Sequence, residues 1–280
     1  MTVFKVKGGN KLKGDLHPQG AKNEALQVLC ATLLTKEKVT MQNIPDIHDV
    51  NILIDLLRDL NVVINKINNN TYTFQGKDIN INYLKSEDYK KKSSRIRGSI
   101  MIVGPLLARF GKGYIPKPGG DKIGRRRLDT HFIGFKKLGA EFYYDNKKEC
   151  YNVKASKLTG VDMLLDEASV TGTANVIMAA VMAEGKTTIY NAACEPYIQQ
   201  LCEMLNSMGA KITGIGSNLL EIKGVSSLGG CSHKILPDMI EIGSFIGLAA
   251  ITKSEITIKN VNYDKLGVIP NVFRKLGIKI

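Results

Sequence analysis

The side chains best placed to do chemistry crowd into one stretch, Lys117-Pro118-Gly119-Gly120-Asp121-Lys122-Ile123-Gly124-Arg125-Arg126-Arg127-Leu128-Asp129-Thr130-His131. A proline and three glycines leave it few stable internal contacts, and Gly119-Gly120 supplies backbone freedom. Asp121 stands at the tip. Arg125, Arg126 and Arg127 offer planar forks suited to phosphate or carboxylate. The chemistry to expect is the gripping of an anion by a charged loop free to swing. A solvated surface turn has the same composition, so the rest of the chain must decide between the two.

The elements that would position this loop come as a repeat. Four stretches share one plan: an apolar helix, a short turn, a β-branched strand, a connection, an amphipathic helix with a Leu-Gly-Ala-like stop, and another strand. The spacing predicts helices over 23–34 and 49–60 with strands over 39–42 and 62–65. It then predicts helices over 99–108 and 131–138 about a strand near Tyr114-Ile115, and helices over 173–183 and 197–208 about a strand over 187–190. The fourth copy has a helix over 244–251, a strand over 255–259 and a helix through Phe273 and Leu276. Leu53, Leu56, Leu57 and Leu60 fall at i, i+3, i+4 and i+7, a single apolar stripe. The stops at Asn61, Gly139, Gly209 and Gly277 lie roughly 70 residues apart and suit left-handed C-caps. In three copies the connection before the second helix takes about seven residues and opens with Asn43, Asn191 or Asn260; in the second copy it takes about fourteen. The extra length is the Pro-Gly-Gly-Asp-Lys-Ile-Gly segment. One copy that departs from its siblings by a charged, glycine-rich insertion points to function rather than packing.

A chain of 280 residues, 44% hydrophobic, has material for two cores. Breaks at Gly20 and at Gly229-Gly230 predict a first domain over 21–232 holding three repeat units and the mobile loop. Residues 1–20 and 233–280 then form a partial second domain with one unit. Strands alternating with helices give the α/β class. The opening residues 1–7 alternate as a strand in a hairpin and lack the apolar core of a signal peptide. The longest apolar run, 100–108, is broken by Gly104-Pro105 and is too short to span a bilayer. Five widely spaced cysteines without a C-x-x-C pair fit a reducing compartment, hence the cytoplasm. The net charge of +13 asks for an anionic partner. Its even spread, without an aromatic-interleaved basic stripe, argues against nucleic acid. No His, Cys and carboxylate spacing suits a metal and no Gly-x-Gly-x-x-Gly follows a strand, so no cofactor is expected.

Ala21-Lys22-Asn23 at a helix start, Ile96-Arg97-Gly98-Ser99-Ile100, Gly104-Pro105-Leu106-Leu107-Ala108-Arg109-Phe110-Gly111, Pro118-Gly119-Gly120, Asp129-Thr130-His131 and Ala183-Glu184-Gly185 occur in a distinctive order and spacing. In these the chain resembles the UDP-N-acetylglucosamine 1-carboxyvinyltransferase family. The resemblance implies the inside-out α/β barrel of the enolpyruvyl transferases, with helices packed inside sheets in two domains of three units each. It also implies the first committed step of peptidoglycan synthesis, and so a part in cell-wall biogenesis, cell shape and cell division. There the sugar 3-hydroxyl adds to C2 of phosphoenolpyruvate, C3 is protonated, and phosphate then leaves with a C3 proton. The substrates would be UDP-N-acetylglucosamine and phosphoenolpyruvate, with no cofactor and no membrane or nucleic-acid partner. Four units where the family has six suggest a chain covering about two thirds of that architecture. The alternative is a truncated, catalytically incompetent nucleotide-sugar-binding homologue.

By the same resemblance Lys22 and Asn23 contact phosphoenolpyruvate from a helix N-terminus, where backbone amides already favour an anion. Lys22 and Asp121 are the catalytic candidates. Arg97, Arg126, Arg127, Leu128, Asp129 and Thr130 hold the nucleotide sugar, and Ser169, Val170 and Thr171 occupy the uridine-binding turn. Arg127 stands where the family usually has proline, and Glu167 where it commonly has a basic residue. Asp121 replaces the thiol that the epoxide fosfomycin alkylates, which implies insensitivity to that compound. Asp49, Glu195 and Asp238 match recurring family carboxylates, although a helix cap or a structural ion pair is as good a reading of each. His131 reads as a packed histidine at a helix start.

Overall fold

The computed structural model describes residues 3–116, 119, 127–147 and 149–280. They divide into two compact units, Lys22–Ile235 and a smaller one of Met1–Ala21 with Leu236–Ile280. In chain order the first regular element, β1 (Lys13–Leu16), belongs to the smaller unit.

The larger unit opens with α1 (Lys22–Ala31), β2 (Lys38–Gln42), α2 (His48–Asp59) and a hairpin of β3 (Val63–Asn68) and β4 (Thr71–Gln75). After a short α3 (Glu87–Ser93), the second repeat runs through a 3-10 turn at Arg97–Ile102, α4 (Val103–Phe110), β5 (Lys112–Pro116), α5 (Asp129–Lys137), β6 (Glu141–Asp145) and β7 (Cys150–Lys154). The third has β8 (Asp162–Leu164), α6 (Val170–Ala180), β9 (Lys186–Tyr190), α7 (Pro196–Ser207), β10 (Lys211–Thr213) and β11 (Leu219–Lys223), and β12 (Cys231–Lys234) follows. Two sheets share one topology, β12-β2-β4-β3 and β8-β9-β11-β10, each with one parallel pair followed by antiparallel ones. The third sheet is β5-β7-β6. Where a single strand was expected after each second helix, the chain makes a hairpin. Because β12 runs parallel to β2, residues 233–235 lie with the larger unit rather than the smaller.

Helices fill the inside of this unit. Residues 24–31 of α1 and 172–180 of α6 are buried throughout, and α4 packs against α6. The flanking helices are amphipathic. The predicted stripe of α2, Leu53, Leu56 and Leu57 with Leu60 just beyond, is fully buried, while Asp55 and Arg58 face solvent. Pro105 lacks an N–H and its ring crowds the carbonyl four residues back, which accounts for a 3-10 turn before α4. The strands show one buried face, as in β11, where Leu220 and Ile222 are buried and their neighbours exposed.

The repeat is visible in its turns. Asn43, Asn191 and Asn260 adopt left-handed φ of 59°, 58° and 57°. The Asn43 amide donates to the Ile235 carbonyl at 2.9 Å and that of Asn191 to the Leu165 carbonyl at 3.1 Å. Each thus makes the turn and ties down the end of the neighbouring parallel strand. The helix stops at Asn61, Gly139, Gly209 and Gly277 are left-handed as well.

In the smaller unit β1 pairs in parallel with β13 (Glu255–Ile258), with α8 (Met239–Ile251) and α9 (Ile269–Lys275) beside them. Asp238 caps α8, accepting from the amides of Ile240 at 2.8 Å and Glu241 at 3.3 Å. Among the described residues its buried hydrophobic cluster is small, made of Ile242, Ile246 and Leu266. The strand expected over 1–7 is not formed by the described residues there; β1 pairs instead with β13, and alternation makes a strand only against a neighbour. Among the described residues no helix is long and apolar enough to cross a membrane.

Candidate functional site

The sequence-predicted residues that the structure describes lie at or beside helix starts. Lys22 and Asn23 open α1, and the Lys22 ammonium sits 2.7 Å from the Asp49 carboxylate in the first turn of α2. Both side chains are about 40% exposed, 43% and 35%, where an ion pair contributes on the order of 0–1 kcal/mol. Of the two readings given to Asp49, the ion pair is the one seen.

Arg97 begins the 3-10 turn before α4 and donates from Nη2 to the Arg127 carbonyl at 3.0 Å. The Arg127 Nε lies 2.5 Å from Asp129 Oδ2, and Asp129 opens α5. Asp129, with Asp166 and Glu167 behind it, holds the Arg127 guanidinium firmly protonated. Next along, the Thr130 hydroxyl faces Asp166 Oδ1 at 3.1 Å and Glu167 Oε1 at 3.3 Å. Ser169 is the N-cap of α6, its hydroxyl accepting from the Gly172 amide at 3.2 Å. That leaves the amides of Val170 and Thr171 without intrahelical acceptors, as at any helix start. Gly172 sits so close against Thr130 that a side chain there would collide with it, which brings the starts of α5 and α6 together.

His131 lies beneath this surface, 1% exposed. Asn175 Oδ1 accepts from the Gly104 amide at 2.8 Å, so its Nδ2 donates to the Ile100 carbonyl at 2.9 Å and to His131 Nδ1 at 3.0 Å. The ring hydrogen must then sit on Nε2, which faces the Thr171 hydroxyl at 3.3 Å. Burial, aided by the charge of Arg97, pushes the imidazole down to about 3, so it is neutral. Sequence reasoning placed His131 as a packed residue but missed Asn175. The available signal was one amide side chain inside the otherwise small and apolar run of α6. Asp166 was missed too, having no pattern of its own.

Arg97, Arg127, Asp129, Thr130, His131 and Thr171 thus form one connected cluster. Leu26 of α1 packs on Gly98, linking the Lys22 end to it. Asp121, Lys122, Arg125 and Arg126 lie outside the described residues, while Leu128 precedes α5. Glu195 is not brought into the cluster by any contact. It stands at the N-cap position of α7 without capping it, and its Oε2 is buried with no hydrogen-bond partner among the described residues, so neither reading offered for it holds. The described residues contain no group of His, Cys and carboxylates able to hold a metal.

Three sheets around buried helices, with cations gathered at the helix starts, define an α/β enolpyruvyl-transferase fold of the inside-out barrel type. Solved structures agree. The enolpyruvyl transferase NikO from Streptomyces tendae superposes with a TM-score of 0.81 at 18% identity, over 96% of this chain and 62% of that one. An EPSP synthase from Acinetobacter baumannii gives 0.74 at 16% identity, over 96% and 60%. By sequence the chain belongs to the EPSP synthase (3-phosphoshikimate 1-carboxyvinyltransferase) family, which it matches over residues 6–280. The UDP-N-acetylglucosamine 1-carboxyvinyltransferase of Bacteroides fragilis is 63% identical over 280 residues, that of Porphyromonas gingivalis 60% over 280, and that of Borreliella burgdorferi 49% over 278. The resemblance read from the motifs is borne out. The chain spans about 64% of the length of each of these relatives, which match over all or 99% of it.

Proposed function

We propose that this chain serves the transfer of the enolpyruvyl group from phosphoenolpyruvate to the 3-hydroxyl of UDP-N-acetylglucosamine, with release of phosphate, in peptidoglycan synthesis. The observation that carries the reading is the tie of Arg97 to the Arg127 backbone, which gathers two guanidinium-bearing residues and two helix starts at one place. Amides and cations together there suit a diphosphate. The names of the 60–63% identical relatives favour UDP-N-acetylglucosamine over the shikimate phosphate of the family description.

On this reading Arg97, Arg126, Arg127, Leu128, Asp129 and Thr130 hold the nucleotide sugar, and Ser169, Val170 and Thr171 its uridine. Lys22 and Asn23 hold phosphoenolpyruvate, and Asp121 delivers the proton to C3 as the sugar oxygen bonds to C2. On this reading the larger unit is a first domain of three repeat units, and the smaller unit is one repeat unit of a second. The reaction belongs in the cytoplasm, a reading supported by five cysteines of which none is in a disulfide. A second reading, nucleotide-sugar binding without turnover, rests on the same helix-start cluster, which needs only to hold the anion.

One experiment separates them. Calorimetry on a polypeptide of these 280 residues should detect UDP-N-acetylglucosamine, with binding weakened about tenfold or more by Arg97→Ala. Phosphate release from phosphoenolpyruvate, lost on Lys22→Ala, supports transfer. Binding without release supports the second reading, and no binding sinks both.

A further inference from the structure

We infer that the cleft between the 3-10 turn Ile81–Lys85 and the sheet β5-β7-β6 is a second ligand site, built for a small aromatic phosphate. The cleft encloses about 580 Å³, within the range that holds small ligands, and shares no residue with the helix-start cluster. Strand register sets Lys112 directly opposite Lys154, and Lys154 opposite Glu141. Two like charges facing each other across neighbouring strands destabilise a sheet, and Lys85 adds a third cation from the turn. One carboxylate stands against three lysines, and none of the four has an ion-pair partner among the described residues. Close by, the chain does neutralise its lysines: Lys92 bonds Asp59 at 2.5 Å and Asp88 at 3.0 Å, and Lys90 lies 3.7 Å from Glu149. The cleft therefore holds a local excess of cations, and an anion seated between Lys112 and Lys154 would remove the repulsion.

The rest of the cleft specifies what carries that anion. One row further along the same sheet face come Tyr114, Asn152 and Tyr143. Tyr143 is 69% exposed, a ring without a covering neighbour, and the Asn152 amide beside it offers both a donor and an acceptor. An aromatic ring stacked on Tyr143 would therefore hold its phosphate over the lysines. The opposite wall is fixed in advance. The Tyr83 hydroxyl lies 3.0 Å from Asp59 and 2.7 Å from Asp88, and its amide donates to Asn80 Oδ1 at 3.3 Å. A preformed wall lowers the ordering cost of binding.

The test uses adenosine 5′-monophosphate as probe on the 280-residue chain, by calorimetry, with UDP-N-acetylglucosamine at saturation so that the proposed nucleotide-sugar site is filled. We expect one further site. The Lys112→Ala/Lys154→Ala variant should weaken it about tenfold or more while leaving UDP-N-acetylglucosamine binding unchanged. Tyr143→Ala should weaken the probe but not inorganic phosphate. These side chains are exposed, and an unchanged melting temperature would show that the variants fold. Absence of probe binding, equal binding by wild type and lysine variant, or phosphate binding as tightly as the probe would each overturn the inference. None of these readouts requires turnover, so failure of the proposed reaction leaves the test intact.

Discussion

His131 shows what a buried polar network does to a single residue. The imidazole is held neutral because Asn175 presents a donor to Nδ1 and burial opposes a charge. Its folded pKa lies below the ordinary 6.5, at about 3, so as pH falls the unfolded chain takes up a proton that the folded chain refuses. This residue's contribution to stability is complete above about pH 6.5 and is lost progressively towards pH 3. Nitrogen-detected NMR should show an Nε2–H tautomer that does not titrate between pH 8 and pH 5; a midpoint near 6.5 would contradict the network. Asp121 carries a second residue-scale prediction, from chemistry alone. A carboxylate opens an epoxide poorly and a thiolate readily. Mass spectrometry after fosfomycin treatment should therefore find no adduct on the loop of the wild type and one on Asp121→Cys. The departures at Arg127 and Glu167 belong together, since the guanidinium feels the Glu167 charge. Where the resemblance puts a base at 167, this chain has an acid, and it carries an added cation at 127.

At the scale of elements, the asparagine turns are what hold strand ends in register. Asn191 combines a left-handed φ of 58° with a bond to the Leu165 carbonyl just beyond β8. Asn191→Ala loses both and should cost roughly 2 kcal/mol, while Asn191→Gly keeps the backbone and should cost about 1 kcal/mol. Urea unfolding of the three proteins checks the order, and equal losses would show that the bond matters and the φ does not. These asparagines were legible in the sequence because they recur at one place in three repeats, as were the helices, whose buried stripes repeat every turn. The hairpins were not. In β3 none of Val63, Ile64, Asn65, Lys66, Ile67 and Asn68 is fully buried, so its pattern carries little alternation to read. The site was half legible in the same way. Lys22, Arg97 and Asp129 stand at helix starts that the pattern predicts, whereas the contact joining Arg97 to Arg127 spans 30 residues and that joining His131 to Thr171 crosses between repeats, so neither leaves a mark on spacing.

At the scale of the whole molecule the two units differ in how they treat the same kind of helix. α6 buries nine of its eleven residues, yet α8, which is more apolar, buries only Ile242 and Ile246. Ile251 stays 81% exposed and Leu276 71%, with Val268 and Val272 also open to solvent. Apolar surface grouped in this way drives association. The inner helices of the larger unit show no such deficit, since residues 24–31 of α1 and 172–180 of α6 are buried throughout. A polypeptide of residues 22–235 should therefore unfold in one cooperative transition and sediment as a monomer, whereas one of residues 1–280 should bind a hydrophobic dye and associate as its concentration rises. Replacing Ile251 and Leu276 together by Glu should reduce that association and leave the unfolding of the larger unit unchanged, because neither residue contributes to its core. Association that persists in the 22–235 polypeptide would place the sticky surface on the sheets of the larger unit instead, and the burial argument for α8 would fail.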